Sequence, residues 1–251
     1  MSRAALVLSV AWLLGGCVSN QPKEMSQPDR AAEINLRLAA DYLAKGNLMA
    51  AKEKIDKALE QNSRNADAHA VAALLYDRLN DPAKAESSFQ RALSLDAKNP
   101  NIMNNYAAVL CKNGRYDRGE KYALEAAGNP LYKTPELAYM NAGICQRQAG
   151  NLPRAEEHYR RALNIKPRLP GALFEMAEVE LSQASYLPAR AFLERYLEVN
   201  KTSPATLWLG VRIERGLGNT TGANNYAARL KNEYPTAVET KELLESERTL
   251  K

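Results

Sequence analysis

Three cysteines and two histidines are the residues of this chain best suited to covalent or metal chemistry. His69 and His158 stand far apart in the sequence, and neither has a cysteine or carboxylate at metal-ligand spacing. Both therefore read as polar residues on helix surfaces rather than as zinc ligands. No Gly-x-Ser-x-Gly elbow, Gly-x-Gly-x-x-Gly turn or His-Glu-x-x-His pair occurs. Gly114 and Gly119 have the spacing of a phosphate loop, but Glu120 stands where the lysine belongs. No catalytic residue, metal, cofactor or small-molecule substrate is expected, and the carboxylates, interspersed with lysine and arginine, read as solvated faces with i,i+4 pairs. An enzyme with an unrecognised site is the alternative; turnover lost on changing one acidic residue would favour it. Cys111 and Cys145 are 34 residues apart. They can form a disulfide in an oxidising compartment if the fold brings their Cα atoms to about 4.4–6.8 Å; otherwise they are two buried thiols acting as small apolar side chains.

What can bring the two cysteines together is internal repetition with the same 34-residue period. Counting from Ala32, the eighth, eleventh, twentieth, twenty-fourth and twenty-seventh places hold Ala39, Tyr42, Ala51, Ile55 and Ala58. One period on they hold Ala73, Tyr76, Ala85, Phe89 and Ala92, and from Pro100 they hold Ala107, Leu110, Gly119, Ala123 and Ala126. The fourth unit is displaced by an insertion near Gly128-Asn129-Pro130 and starts at Glu136; the fifth and sixth start at Pro170 and Pro204. Small residues at the eighth, twentieth and twenty-seventh places allow two helices to approach closely, while a mostly larger twenty-fourth residue fills the gap. Gly46-Asn47, Asn80-Asp81, Asn113-Gly114, Gly150-Asn151 and Gly218-Asn219 mark turns at which the chain can adopt φ > 0; Ala184-Ser185 in the fifth unit is a weaker signal. Apolar residues recur at three and four, not two, which predicts helices throughout.

This pattern resembles the tetratricopeptide repeat over residues 32–237. The resemblance implies an all-α fold, a right-handed superhelical solenoid of six repeats, with residues 238–251 forming a thirteenth, capping helix over the last repeat. Cys111 and Cys145 then occupy the twelfth and tenth places of the first helices of units three and four, which lie side by side in such a stack.

The first residues read as an address. Arg3 is followed by an apolar run from Ala4 to Leu14 and then by Gly15-Gly16-Cys17. The run is about 11 residues, too short to span a bilayer as a helix, and ends in small residues, which predicts a signal peptide over residues 1–16. The small-small-Cys ending resembles bacterial lipoproteins, which implies that Cys17 becomes an acylated N-terminus and that lipid, not a helix, is the anchor. In such lipoproteins an Asp after the lipidated Cys signals inner-membrane retention; Val18 stands here, favouring the outer membrane. Residues 17–31 are polar, contain Pro22 and Pro28, and are expected to form a tether. The formal net charge of the chain is +5, and its basic residues are scattered singly among few aromatics, so no nucleic-acid partner is expected.

The first helices of a repeat stack line its concave face. There the first unit offers Leu36 and Leu43, the third Asn105, the fourth Met140, Asn141, Ile144 and Arg147, and the sixth Trp208 and Arg212. An apolar strip at Leu36 and Leu43 suits a protein partner, and the asparagines suit capture of an extended peptide backbone, since an amide both donates and accepts. The asparagines have a second reading as contacts to the neighbouring repeat, and the leucines as packing. The lipobox, Val18, six repeats, the cysteine pair and a chain of 251 residues together resemble the PilF/PilW family of type IV pilus biogenesis lipoproteins, the pilotins. What the resemblance implies is binding of a secretin subunit, with its localisation to the outer membrane and assembly into multimers. The alternative is a protein-binding scaffold lipoprotein for β-barrel insertion or cell-wall machinery.

Overall fold

The computed structural model describes residues 26–249. The signal peptide, Cys17 and most of the expected tether lie outside the described residues. Thirteen helices and no strand occur among them: α1 Gln27–Ala44, α2 Leu48–Gln61, α3 Ala66–Arg78, α4 Pro82–Leu95, α5 Pro100–Lys112, α6 Tyr116–Ala127, α7 Pro135–Gln148, α8 Leu152–Ile165, α9 Pro170–Ser182, α10 Tyr186–Leu197, α11 Pro204–Gly216, α12 Thr220–Glu233 and α13 Val238–Thr249. Odd and even helices pair as the first and second helices of six units. Each first helix also touches the first helix of the next unit, so α1, α3, α5, α7, α9 and α11 form one continuous wall.

Local chemistry sets the helix ends. Asn47, Asn65, Asp81, Asn99, Asn151 and Asn219 precede their helices and accept a hydrogen bond from a backbone N–H of the first turn. The turn inside each unit passes through φ > 0 at Gly46, Asn80, Gly114, Gly150, Ala184 and Gly218. Ala184 thus adopts the same backbone as the glycines, at a cost of about 1–2 kcal/mol for a residue carrying Cβ.

The expected tether ends earlier than its composition suggested. Helix α1 starts at Gln27, not after residue 31, with Ser26 as its cap and Pro28 in the first turn. Proline is compatible with that position because the N–H it lacks has no intrahelical partner there.

Packing follows the repeat frame. Ala39, Ala73, Ala107, Ala177 and Val211 at the eighth place, and Ala51, Ala85, Ala155, Ala189 and Ala223 at the twentieth, are all buried. Ile55, Phe89, Tyr159 and Leu193 at the twenty-fourth place fill the space these small residues leave, and each such buried side chain contributes about 1.5–3 kcal/mol. The insertion between units three and four is absorbed in the loop at 128–134, where Asn129 donates from Nδ2 to the Lys98 carbonyl at 3.0 Å and Tyr132 is buried beside Ala126 and Ala138. Helix α13 packs on α11 and α12 and buries Thr240 and Leu243, covering the last unit.

Candidate protein-binding groove

The wall of first helices carries the residues expected to meet a partner, and the structure divides them. Leu36 is half-buried and borders an open cavity of about 520 Å³ with Asp29, Glu33, Arg37, Asn62, Asn65 and Asp67. Leu43 does not reach the wall. It is buried among Ala39, Ala51, Ile55, Ala72 and Leu75. The reason is its register: the twelfth place faces the seam with the next first helix, as Cys111 and Arg147 at the same place also do. The expected strip of Leu36 and Leu43 is therefore corrected to Leu36 with Val71 and Leu74 of α3, both half-buried. Those two occupy the sixth and ninth places of unit two, and the repeat frame pointed to them once applied there. Exposed Ala40 and Ala108 complete a smooth wall from α1 to α5, with Asp77 and Lys112 paired at 3.0 Å at its turn end.

The two asparagines separate as well. Asn105 is half-buried, and its amide has no partner among the described residues. Asn141 donates from Nδ2 to Oδ1 of the buried Asn104 at 2.9 Å, a bond between α5 and α7 that engages one of its donors. Further along, Arg147 Nε lies 2.6 Å from Glu175 Oε2, and the Tyr159 hydroxyl donates to the same oxygen at 3.1 Å. Burial opposes the charge of Arg147, but Glu175 and Tyr159 outweigh it and raise its pKa. Burial, reinforced by Glu175, likewise raises that of the Tyr159 hydroxyl. Arg212 reaches Glu178 at 3.4 Å, and Arg215 stacks over the Trp208 ring at 5.9 Å. Met140 and Ile144 lean onto the core formed by α8 and α9, the sulfur of Met140 lying against Gly171.

The structure pairs Cys111 with Cys145 across the seam between α5 and α7, with Cα atoms 5.0 Å apart. Gly119 makes this possible. A Cβ at that position would lie 2.2 Å from Cys111 Sγ and 3.1 Å from Cys145 Sγ, and the corresponding place in the other five units holds alanine. Beside the same seam His158 departs from its expected surface position: it is buried, with Nε2 2.6 Å from Glu120 Oε1, to which Arg154 also donates at 2.6 Å. Sequence spacing could not find this cluster, because its members come from α6 and α8 of different units. Among the described residues no group of three or more His, Cys, Asp or Glu side chains is arranged to hold a metal, and no helix is long and apolar enough to cross a membrane.

A family model of the tetratricopeptide repeat matches residues 36–101 and 107–172, and a second such model matches residues 88–121. The type IV pilus assembly protein PilF of Pseudomonas aeruginosa is 30% identical over 244 residues, covering 96% of this chain and 97% of PilF. The chain belongs to the PilF/PilW family. A solved structure of Pseudomonas aeruginosa PilF superposes with a TM-score of 0.77 at 28% identity, and the crystal structure of PilW, a widely conserved type IV pilus biogenesis factor, with 0.80 at 30%. Each covers 88% of this chain and 100% of the solved one. Membership in the PilF/PilW family makes this a tetratricopeptide-repeat protein of type IV pilus biogenesis. A family of repeat proteins points to a wall that holds protein, and the geometry above shows which part of it is open.

Proposed function

We propose that this chain is an outer-membrane lipoprotein, acylated at Cys17 and facing the periplasm, that binds a secretin subunit of the type IV pilus and promotes its localisation and multimerisation. The observation that carries the binding reading is the smooth wall from α1 to α5. Leu36, Val71 and Leu74 present apolar surface there without cross-repeat bonds of their own, and the Asn105 amide stands beside it with no side-chain partner among the described residues. A segment with apolar side chains would bury against the first three, while the amide would hold one of its backbone groups. The lipobox supports the membrane address, and the cysteine pair is read as an oxidised staple suited to a periplasmic protein.

Deleting the chain should deplete heat-resistant secretin multimers from the outer membrane and leave unassembled subunits behind. Leu36→Glu with Leu74→Glu should do the same in a protein that remains folded, since two unpaired charges buried on binding cost several kcal/mol. Normal multimers after deletion would refute the secretin reading and put the scaffold for β-barrel insertion or cell-wall machinery in its place.

A further inference from the structure

First helices begin and second helices end along one edge of the solenoid, where five loops join successive units: residues 62–65, 96–99, 128–134, 166–169 and 198–203. Each loop carries an exposed cation without an acidic partner among the described residues: Arg64, Lys98, Lys133, Arg168 and Lys201. The opposite edge, where each unit turns on itself, differs. Lys45, Lys112, Arg115 and Arg147 there reach Asp41, Asp77, Glu86 and Glu175, while Arg78 has no such partner and Arg215 meets the Trp208 ring and Ser246 rather than a carboxylate. Nor does the local backbone favour the five loop cations. Four of them immediately precede an N-cap, at Asn65, Asn99, Thr134 and Leu169, where the positive end of the helix dipole disfavours a cation. The carboxylates on this edge form no ion pair with these five cations: Asp29 and Asp96 keep their charge while accepting from the neutral amides of Asn62 and Asn99, Glu136 faces Lys166 at 3.7 Å, and Glu60, Asp67 and Glu198 carry no such bond. A cation repeated once per unit, set against the local dipole and held in no ion pair, is available to an anionic surface outside the molecule.

The chain enters the fold on this same edge, since α1 begins at Gln27. Nine residue steps separate Cys17 from Ser26, a reach of at most about 32 Å. We propose that the inter-unit edge docks on anionic phospholipid headgroups of the membrane to which Cys17 anchors the chain, so that the body lies on the bilayer with its intra-unit turns facing away. This rests on the lipid-anchor reading above and adds an orientation to it. The anchor holds the edge close enough for its cations to come within a Debye length of the headgroups, about 8–10 Å at moderate salt.

The test uses residues 26–251, which hold the whole described core and correspond in extent to the solved PilF and PilW chains, so that this body folds alone. At low salt it should sediment at least tenfold more with vesicles containing phosphatidylglycerol than with phosphatidylcholine alone, each cation near the surface contributing about fivefold. Changing Arg64, Lys98, Lys133, Arg168 and Lys201 to Gln should remove that preference by tenfold or more. Exchanging Lys for Arg and Arg for Lys at the five positions should retain it. Removing five paired cations instead, at Lys45, Lys57, Lys84, Lys121 and Arg161, should cost threefold or less. No preference for the anionic vesicles, or an equal loss in the two Gln variants, overturns the proposal. If the body ignores vesicles while the edge variant still depletes secretin multimers in cells, the cations face an acidic protein and the proposal is likewise overturned. Acylation of Cys17 is read separately, by mass of the full chain from membranes, so failure of the anchor and failure of the edge are distinguishable.

Discussion

From α1 to α5 the wall of first helices carries Leu36, Ala40, Val71, Leu74 and Ala108; Glu33 pairs with Arg37 within α1, and the ion pair that crosses between units, Asp77 with Lys112, lies at the turn end. From α5 to α11 the same register is bridged repeatedly, by Asn104 with Asn141, Arg147 with Glu175, and Glu178 with Arg212. The repeat code treats both halves alike, because the eighth, twentieth and twenty-seventh places govern only how helices pack inside a unit and onto the next. The wall positions are outside that code, and the two halves use them differently. In the second half polar side chains there join neighbouring units along the wall; in the first, Val71 and Leu74 pack inward on the core while their outer surface, with that of Leu36, stays exposed. An interaction surface in a repeat protein is thus recognised by which wall side chains lack partners within the molecule. The pair Cys111 and Cys145 lies at the boundary between the halves.

That boundary offers the largest perturbation. Replacing both cysteines with Ala should lower stability by about 2–4 kcal/mol, the usual value of a cross-link closing a loop of this order. Thermal melts with and without reductant measure it, and reduction should leave the Cys111→Ala, Cys145→Ala protein unchanged. Complete alkylation of both thiols in untreated protein would show that no staple exists. Gly119→Ala should behave in the same direction, because its methyl group would displace Cys111 Sγ.

A smaller effect should distinguish the two walls. Glu175→Ala removes the partner of Arg147 and of the Tyr159 hydroxyl, and should cost about 1–3 kcal/mol by denaturant titration. Ala40→Gln, on the exposed wall of the first half, should stay within about 0.5 kcal/mol of the parent while weakening partner capture. Equal destabilisation by both would mean that the first half is also a structural seam.

The smallest expected change concerns Glu180 in the second half. Burial, and after it the neighbouring Glu156, pushes its carboxyl above the ordinary value. The folded state therefore holds this proton more tightly than the unfolded chain. The ionised group weakens the fold by an amount that is absent below the ordinary carboxylate range and grows as pH rises to the raised pKa. Glu180→Gln should raise the melting temperature slightly at neutral pH, by the equivalent of about 0.5 kcal/mol or less, and the gain should disappear toward about pH 3–4. A gain independent of pH would assign it to something other than this proton.

The architecture was legible in the residues themselves because it depends on local rules. Small side chains at Ala51, Ala85 and Ala155, turns at Gly46, Gly114 and Gly150, and caps at Asn47 and Asn151 act within one unit and recur in the next. The start of α1 was misjudged through Pro28, whose meaning changes between a disordered tract and a first helical turn, a distinction that composition does not carry. The site was only partly legible, since it depends on contacts between units. Leu36 and Leu43 look equivalent along the chain, about two turns apart and so on nearly one face of α1, yet one borders the groove and the other enters the core, because the helix has a neighbour packed against it at one level and open space at the other. Asn105 and Asn141 occupy the same place in their units, and only the position of Asn104 opposite Asn141 decides which amide stays unpartnered. Gly119 reads as a helix weakness until Cys111 and Cys145 are seen against it. Helix formation and pairing inside a unit were set by sequence, because neighbours along the chain decide them; the choice between a seam and a binding surface was set by tertiary structure, because it belongs to side chains of different units, distant along the chain.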